Sequence, residues 1–491
     1  MRTHESPTRS FLWHDYETFG TDAGADRIAQ FAGIRTDPSW EKHSEAVELF
    51  CAPARDMLPH PRACLITGIT PQQAEARGVC EAEFARQLHE EMSEPGTCIV
   101  GYNNLQFDDE FSRHLYYRNF YDPYTHEYAH GNSRFDLINL VRMCFALRPE
   151  GIEWPVHDSG IPSFRLEDLT AANRIDHEGA HDALADVRAT INLARLLRRR
   201  QPRLVDWALR MRSKANANRL LDTTHPSPVV YTSSRVAAKR GCTSLFLPLL
   251  AHPNNRNAVI AFDLMADPGA LLKLEPEAIR ERVFVAGEDM PEGVERIPLQ
   301  EIRVNQVPML APVKTLRNVD LARIGLEPEL CESHAQRIIE QHEQVRAKLF
   351  ALYGEPYGTR SDDPDLQLYG GGFFSEHDKH LLEQVRATDA EKLAAMSCPF
   401  EDPRLPVMLF RYRARNFPGT LSEAEQELWE TERLQRLLAP ESSKILGLQA
   451  FRNEIAGERA NLADDAKALK ILRELENWAD SLGLPEMGNT E

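Results

Sequence analysis

The sequence predicts an α/β protein in three parts: an α/β domain over residues 1–201, a small β-rich domain over 202–352 and an α-helical domain over 356–491. Three observations carry this. Short β-branched and aromatic runs come first, then alternate with segments of helical spacing as far as residue 200, the order of an α/β domain. Between residues 202 and 350, short apolar runs are punctuated by Pro and Asn (HPNNRN, VNQVPMLAP), as strands joined by turns are. Beyond a turn-rich stretch at 353–365 (YGEPYGTRSDDPD) the composition turns helical and acidic.

The first domain opens on Phe11–Gly20, FLWHDYETFG. The apolar run Phe11-Leu12-Trp13 marks a buried strand, and Asp15 and Glu17 follow two positions apart. Residues i and i+2 of a strand project to the same side, so the two carboxylates form a pincer. Like charges in a partly dry site repel and lose hydration. A divalent cation relieves both, and oxygen-only ligands suit magnesium or manganese. Most such pairs are solvated strand edges, so the pincer alone leaves both readings open.

Arg27–Thr36 and Glu45–Cys51 supply two more strands. Leu65–Pro71 (LITGITP) is expected to be a turn, Gln72–Met92 a helix, Thr97–Tyr102 a short buried strand and Phe107–Phe120 a helix. Further helices are expected around Asp136–Leu147 and Arg165–Ala172. Ala183–Arg200 is amphipathic, with Ala183, Val187, Ile191, Ala194 and Leu197 on one face. In the second domain the apolar runs are Ser244–Leu250, Ala258–Leu264 and Arg303–Leu310, closed by a helix at His334–Tyr353. The third has helical composition at Glu376–Met396, Glu423–Leu438 and Ala460–Leu482.

With 42% hydrophobic and 27% charged residues, the chain has the composition of an ordinary globular protein. The polar start MRTHESPTRS is no signal peptide, and no apolar run approaches the roughly 18 residues of a membrane span. A cytoplasmic protein without membrane contact is expected. The 8 cysteines include no C-x-x-C pair, which argues against structural zinc and a disulfide framework. The net charge of −18 says little about an anionic partner, because binding depends on where charges lie. Eight basic residues against the single Asp206 run from Arg195 to Lys214, either a solvated helix face or a phosphate-binding surface.

Two further acidic motifs follow the pincer. In Asn103–Asp108 (NNLQFD), Asp108 falls where a buried strand meets a helix, as a site carboxylate or a helix cap. In His181–Asp186 (HDALAD), a rise of about 1.5 Å per residue keeps His181 and Asp186 within reach of one site. Asp182 could equally cap that helix, and His181 could be a surface histidine.

In this order, within one α/β domain, the three motifs resemble the DnaQ-like 3′→5′ exonucleases, of ribonuclease-H-like fold, in the subclass whose third motif carries histidine (DEDDh). Asp15, Glu17, Asp108, Asp186 and His181 map onto that family's catalytic set one to one. The resemblance implies two Mg2+ ions, with Mn2+ as a possible substitute. Asp15 would bridge both, Glu17 and Asp186 would complete the tighter site, and Asp108 would hold the second ion through water. Two-metal phosphodiester hydrolysis places the ions about 3.5–4 Å apart. His181, with an ordinary pKa of about 6.5, would act as general base. The implied product is a 5′-mononucleotide, released from the 3′ end one at a time.

Longer stretches are more specific. HPNNRNAVIAFDL, IRVNQVPMLAP, LYGGGFFSEHD and LFRYRARNFPGTL, with HDYETFGTD and LITGITPQ, resemble the bacterial exodeoxyribonuclease I family. This likeness implies that residues 202–352 form a Src-homology-3-like barrel and that the helical domain closes a C-shaped channel for single-stranded DNA. It implies a monomeric enzyme of DNA repair and recombination. Glu17 and Arg165 (in SFRLEDL) would contact the strand, and Arg113, Tyr124 and Arg142 are extended to the same role. The family also binds the acidic C-terminal tail of the bacterial single-stranded-DNA-binding protein. The basic cluster of Arg148 and Arg195–Arg203 is a candidate neighbourhood for it. Arg411, Arg413 and Arg415 could line the channel or pair with the helical domain's glutamates. An RNA- or oligonucleotide-specific nuclease is disfavoured by the long chain beyond residue 200. A catalytically dead scaffold is disfavoured because no carboxylate is missing.

Overall fold

The computed structural model describes residues 8–179, 182–285, 290–291, 293–354, 361–440, 442 and 444–484. The chain forms two compact units, one of residues 1–133, 178–188 and 358–491, the other of 134–177 and 189–357.

In the first unit four strands lie side by side in the order β3-β2-β1-β4: β1 (Ser10–Thr18), β2 (Ile28–Thr36), β3 (His43–Phe50) and β4 (Thr97–Gly101). β1 runs antiparallel to β2, with Asp15 opposite Ala32 and Glu17 opposite Gln30. On its other edge β1 pairs in parallel with β4 only from Ser10 to Trp13. One face of the sheet packs Leu12, Tyr16, Ile28 and Phe31 against Phe84 and Leu88 of helix Glu81–Met92 and Phe111 and Leu115 of helix Asp108–Arg118. Each large apolar side chain buried in this way contributes about 1.5–3 kcal/mol.

The expected single helix Gln72–Met92 is two, Pro71–Arg77 and Glu81–Met92. Gly78 divides them. A Cβ at that position would lie 2.5 Å from the Ala74 carbonyl oxygen and 2.6 Å from that of Phe50, to which the Val79 N–H donates. The segment LITGITP ends one helix, Pro61–Thr67, turns at Gly68 (φ 72°) and starts the next at Pro71.

The C-terminal helices belong to the same unit. Leu448–Asn461 and Ala466–Ser481 place Phe451, Leu472, Leu475 and Trp478 in one core with Phe19, Phe50, Leu58 and Cys64. Helix Arg404–Asn416, unforeseen in sequence, packs Leu405, Met408 and Tyr412 against Tyr117 and Phe120.

The chain crosses to the second unit within β5 (Ser133–Asp136). There a five-stranded antiparallel sheet runs β10-β6-β7-β8-β9, from β6 (Val229–Thr232), β7 (Thr243–Ala251), β8 (Ala258–Asp263), β9 (Leu299–Arg303) and β10 (Met309–Pro312). The run Arg303–Leu310 therefore joins two strands, with Val307 at φ 48° and Pro308 interrupting the ladder. The basic run from Arg195 is spread over three helices, Ala183–Arg200, Pro202–Arg210 and Lys214–Leu220, rather than one face. Among the described residues no helix is long and apolar enough to cross a membrane.

Candidate active site

β1 carries Asp15 and Glu17 to the same side, and Asp186 comes from the first turn of helix Ala183–Arg200. One oxygen from each of Asp15, Glu17 and Asp186 lies within 4.8 Å of the others. Glu17 is buried, and Asp15 and Asp186 are half-buried. Asp182 is a helix cap, accepting from the Ala185 N–H at 3.1 Å.

Asp108 arrives by a different route. β4 ends at Gly101 and the chain turns through Asn103, at φ 69°. Asp108 is the first residue of its helix, and its Oδ1 accepts from the Tyr16 backbone N–H at 3.1 Å. The contact lies beyond Trp13, the last residue of β1 paired to β4, so a side chain takes the place of a strand. Asp108 thereby joins the pincer strand between Asp15 and Glu17.

The electrostatics follow from crowding. Burial first, then the charges of Asp108, Glu17 and Asp186, hold the Asp15 carboxyl well above the usual range. Burial, then Asp186, Asp108 and Asp182, raise Glu17 from 4.5 to about 8. Carboxylates packed this closely bind a cation, either protons or a metal. An all-oxygen donor set suits a hard divalent ion, so the residues fit the metal centre expected from the motifs. His181 lies outside the described residues.

The proposed strand contacts fall in both units. Arg113 is buried, 5% exposed, and donates to Glu127 at 2.7 Å and to Glu110. Its guanidinium lies 5.5 Å from the ring centre of half-buried Tyr124. Its guanidinium is therefore held by acids and an aromatic ring rather than left open to solvent. In the second unit Arg165 precedes helix Leu166–Ala172, is 65% exposed and pairs with Glu167. Arg142, half-buried on helix Leu137–Leu147, donates to Asn139 at 3.0 Å.

Arg411, Arg413 and Arg415 are engaged in ion pairs. Arg411 binds Glu432, Asp363 and Asp365, and Arg413 binds Glu425. Arg415 reaches Asp56 and Asp365, both at 2.7 Å. Sequence reasoning missed Asn104 and Asp109, which flank the site in buried positions. Their only signal was the repeated residue at each end of NNLQFDD.

A sheet carrying a carboxylate cluster at the end of its first strand is the framework of a metal-dependent nuclease. Residues 12–194 match the family described as "Exonuclease". Residues 212–355 match the "Exonuclease I SH3-like domain" and 362–482 the "Exonuclease I C-terminal domain". Exodeoxyribonuclease I of Escherichia coli K12 is 46% identical over 96% of this chain and 98% of its own. The Haemophilus influenzae enzyme of that name is 42% identical over 87% and 90%. A crystal structure of E. coli exonuclease I in complex with a dA16 oligonucleotide superposes with a TM-score of 0.92 at 45% identity, covering 96% of this chain and all of that one. A moderately thermophilic exonuclease I from Methylocaldum szegediense gives 0.91 at 46%, covering 96% and 99%. The chain belongs to the exodeoxyribonuclease I family and is a DNA exonuclease of ribonuclease-H-like, Src-homology-3-like and helical parts.

Proposed function

We propose that this chain degrades single-stranded DNA from the 3′ end to 5′-mononucleotides. The observation that carries the reading is the group Asp15, Glu17 and Asp186, with Asp108 bound to the same strand. These residues would hold two Mg2+ ions, or Mn2+, which when bound supply Lewis-acid activation of water and of the leaving oxygen. The protein's own part is positional: β1 fixes the pincer, and the Tyr16 N–H fixes Asp108 against it. His181 takes the proton from the attacking water. Exposed Arg165, with Arg142, binds backbone phosphate, and Tyr124 offers a ring to a base while Arg113 supports that ring. Glu17 stands beside the terminal nucleotide.

The family likeness supports the wider assignments. The enzyme acts as a cytoplasmic monomer in DNA repair and recombination. It takes the acidic tail of single-stranded-DNA-binding protein near Arg148 and Arg195–Arg203. Its domains divide at 1–201, 202–352 and 356–491, a reading supported by separate family matches at 12–194, 212–355 and 362–482. The test uses 5′-labelled single-stranded DNA, the RNA counterpart and a blunt duplex, each with Mg2+ or chelator. Stepwise shortening of the single-stranded DNA alone, in Mg2+ alone, is expected. Shortening of RNA instead would reassign the substrate, and metal-independent cleavage would remove the role of the carboxylates.

A further inference from the structure

The metal-facing carboxylates have a second buried layer behind them. Asp109, 3% exposed, follows Asp108 on the same helix turn, and its Oδ1 accepts from Asn104 Nδ2 at 3.2 Å. The Asp109 N–H donates back to the Asn104 carbonyl at 2.9 Å. Asn104, fully buried, uses its remaining side-chain oxygen to accept from the Gly101 N–H at 3.1 Å. The two side chains thus staple the last residue of β4 to the first turn of the helix that carries Asp108. The fit is close, since a Cβ on Gly101 would lie 2.7 Å from that of Asn104.

On the strand side, His14 is the neighbour of Asp15 and projects to the opposite face. It is 2% exposed, and among the described residues neither ring nitrogen has a hydrogen-bond partner. Asp109 is the charged group that acts on it, and burial leaves the imidazole neutral at ordinary pH, its pKa lowered to about 4. Behind Asp15 therefore stands His14, and beside Asp108 stands Asp109; both of these outer residues are buried, and the charge of Asp109 reaches the imidazole.

We infer that Asp109 is a positioning residue: held by Asn104, it sets the backbone turn that delivers Asp108 to Tyr16 and to the carboxylate cluster. The chemistry at stake is the weaker of the two divalent-cation positions, the one that depends on Asp108. The inference rests on the metal reading above. A carboxylate displaced by an ångström still leaves a folded helix, but it no longer completes a ligand set. The acceptor oxygen matters here more than the charge, so asparagine at 109 can replace it and alanine cannot.

The experiment counts Mn2+ bound to the full-length protein without DNA, by electron paramagnetic resonance, in the parent, Asp109→Ala, Asp109→Asn and Asn104→Ala. Circular dichroism monitors the fold of each. The parent should show two classes of site. Asp109→Ala and Asn104→Ala should weaken one class about tenfold, in line with the loss of an outer-shell partner, while Asp109→Asn stays close to the parent. In turnover, the Mg2+ concentration for half-maximal rate should rise while KM for DNA stays put. If Asp109→Ala does not fold, Asn104→Ala gives the same readout with Asp109 in place. Unchanged Mn2+ binding in the folded alanine variants would overturn the inference. A parent that binds no Mn2+ would overturn the metal reading beneath it.

Discussion

Glu17→Gln should make the metal-free protein more stable, and the size of the gain follows from the site. Glu17 is 7% exposed and its pKa is raised from 4.5 to about 8 by burial and by Asp186, Asp108 and Asp182. At about 1.4 kcal/mol per pH unit, this corresponds to about 4–5 kcal/mol of unfavourable charge burial once the group ionises. The sign is fixed by linkage. Between 4.5 and about 8 the folded state holds a proton that the unfolded state has released, so stability falls as pH rises through that window and levels off above it. Glutamine keeps the shape and removes the charge. Removing it also relieves Asp15, whose proton affinity Glu17 raises. Urea unfolding in chelator should therefore show the variant ahead of the parent by a few kcal/mol at about pH 8.5, and level with it near pH 4.5. Added Mg2+ should reverse the order, because only the parent keeps the full ligand set. A variant no more stable than the parent in chelator at about pH 8.5 would refute the argument from charge crowding.

His181→Ala should retain single-stranded-DNA binding by fluorescence anisotropy while turnover falls about 10²–10⁴-fold; full turnover would remove it as the base. Arg415→Ala should cost about 3 kcal/mol by chemical unfolding, because it removes the nearest cation of buried Asp56 and Asp365 and leaves both to Arg436, at 3.6 and 3.9 Å, with Arg411 still on Asp365. Both aspartates have pKa values depressed by arginines, so the stability they contribute is present above the ordinary carboxylate range and lost in acid. The variant should accordingly lose part of the parent's acid sensitivity between about pH 4 and 2. Gly78→Ala should lower stability by about 2 kcal/mol or more, since both close contacts are backbone oxygens; an unchanged unfolding midpoint would contradict that. Removing residues 361–484 should leave a fragment that binds ANS and has weakened near-ultraviolet dichroism, because half of one core of the first unit leaves with them.

The carboxylates were legible in the sequence because their signals are local. The two-residue repeat places Asp15 and Glu17 together on any strand, and helical rise limits how far Asp186 can stray. Strands β1, β2, β7 and β8 were equally open to reading, each a short apolar run with flanking turn residues. What depends on distant partners was not. Gly78 looks like a tolerable helix glycine until the Phe50 carbonyl is brought beside it. Arg113 reads as a surface cation because Glu127 and Tyr369, its partners besides Glu110, come from other parts of the chain. Helix Arg404–Asn416 was hidden for a related reason. Arg411, Arg413 and Arg415, three of its four arginines, blur the amphipathic pattern, yet each is drawn inward by acids that sequence spacing does not reveal.

Those inward arginines explain how the C-terminal helices bear on the chemistry. A buried ion pair gains little over a well-packed apolar one, so stability alone is a poor reason to keep Asp56, Asp363 and Asp365 against Arg411, Arg415 and Arg436. Planar guanidinium groups, however, dock on carboxylates in few geometries, and the network therefore sets register between residue 56 and the helices beyond 404. The same helices send Phe451 and Trp478 into the core that holds Phe19. The Phe19 carbonyl accepts from the His60 N–H at 2.7 Å, and Lys444 reaches Asp22 at 3.0 Å. Phe19 is two residues from Glu17. The strand that carries the pincer thus ends in a core half built by the C-terminal helices, which anchor the chain two residues beyond Glu17. These helices are part of the active site's foundation.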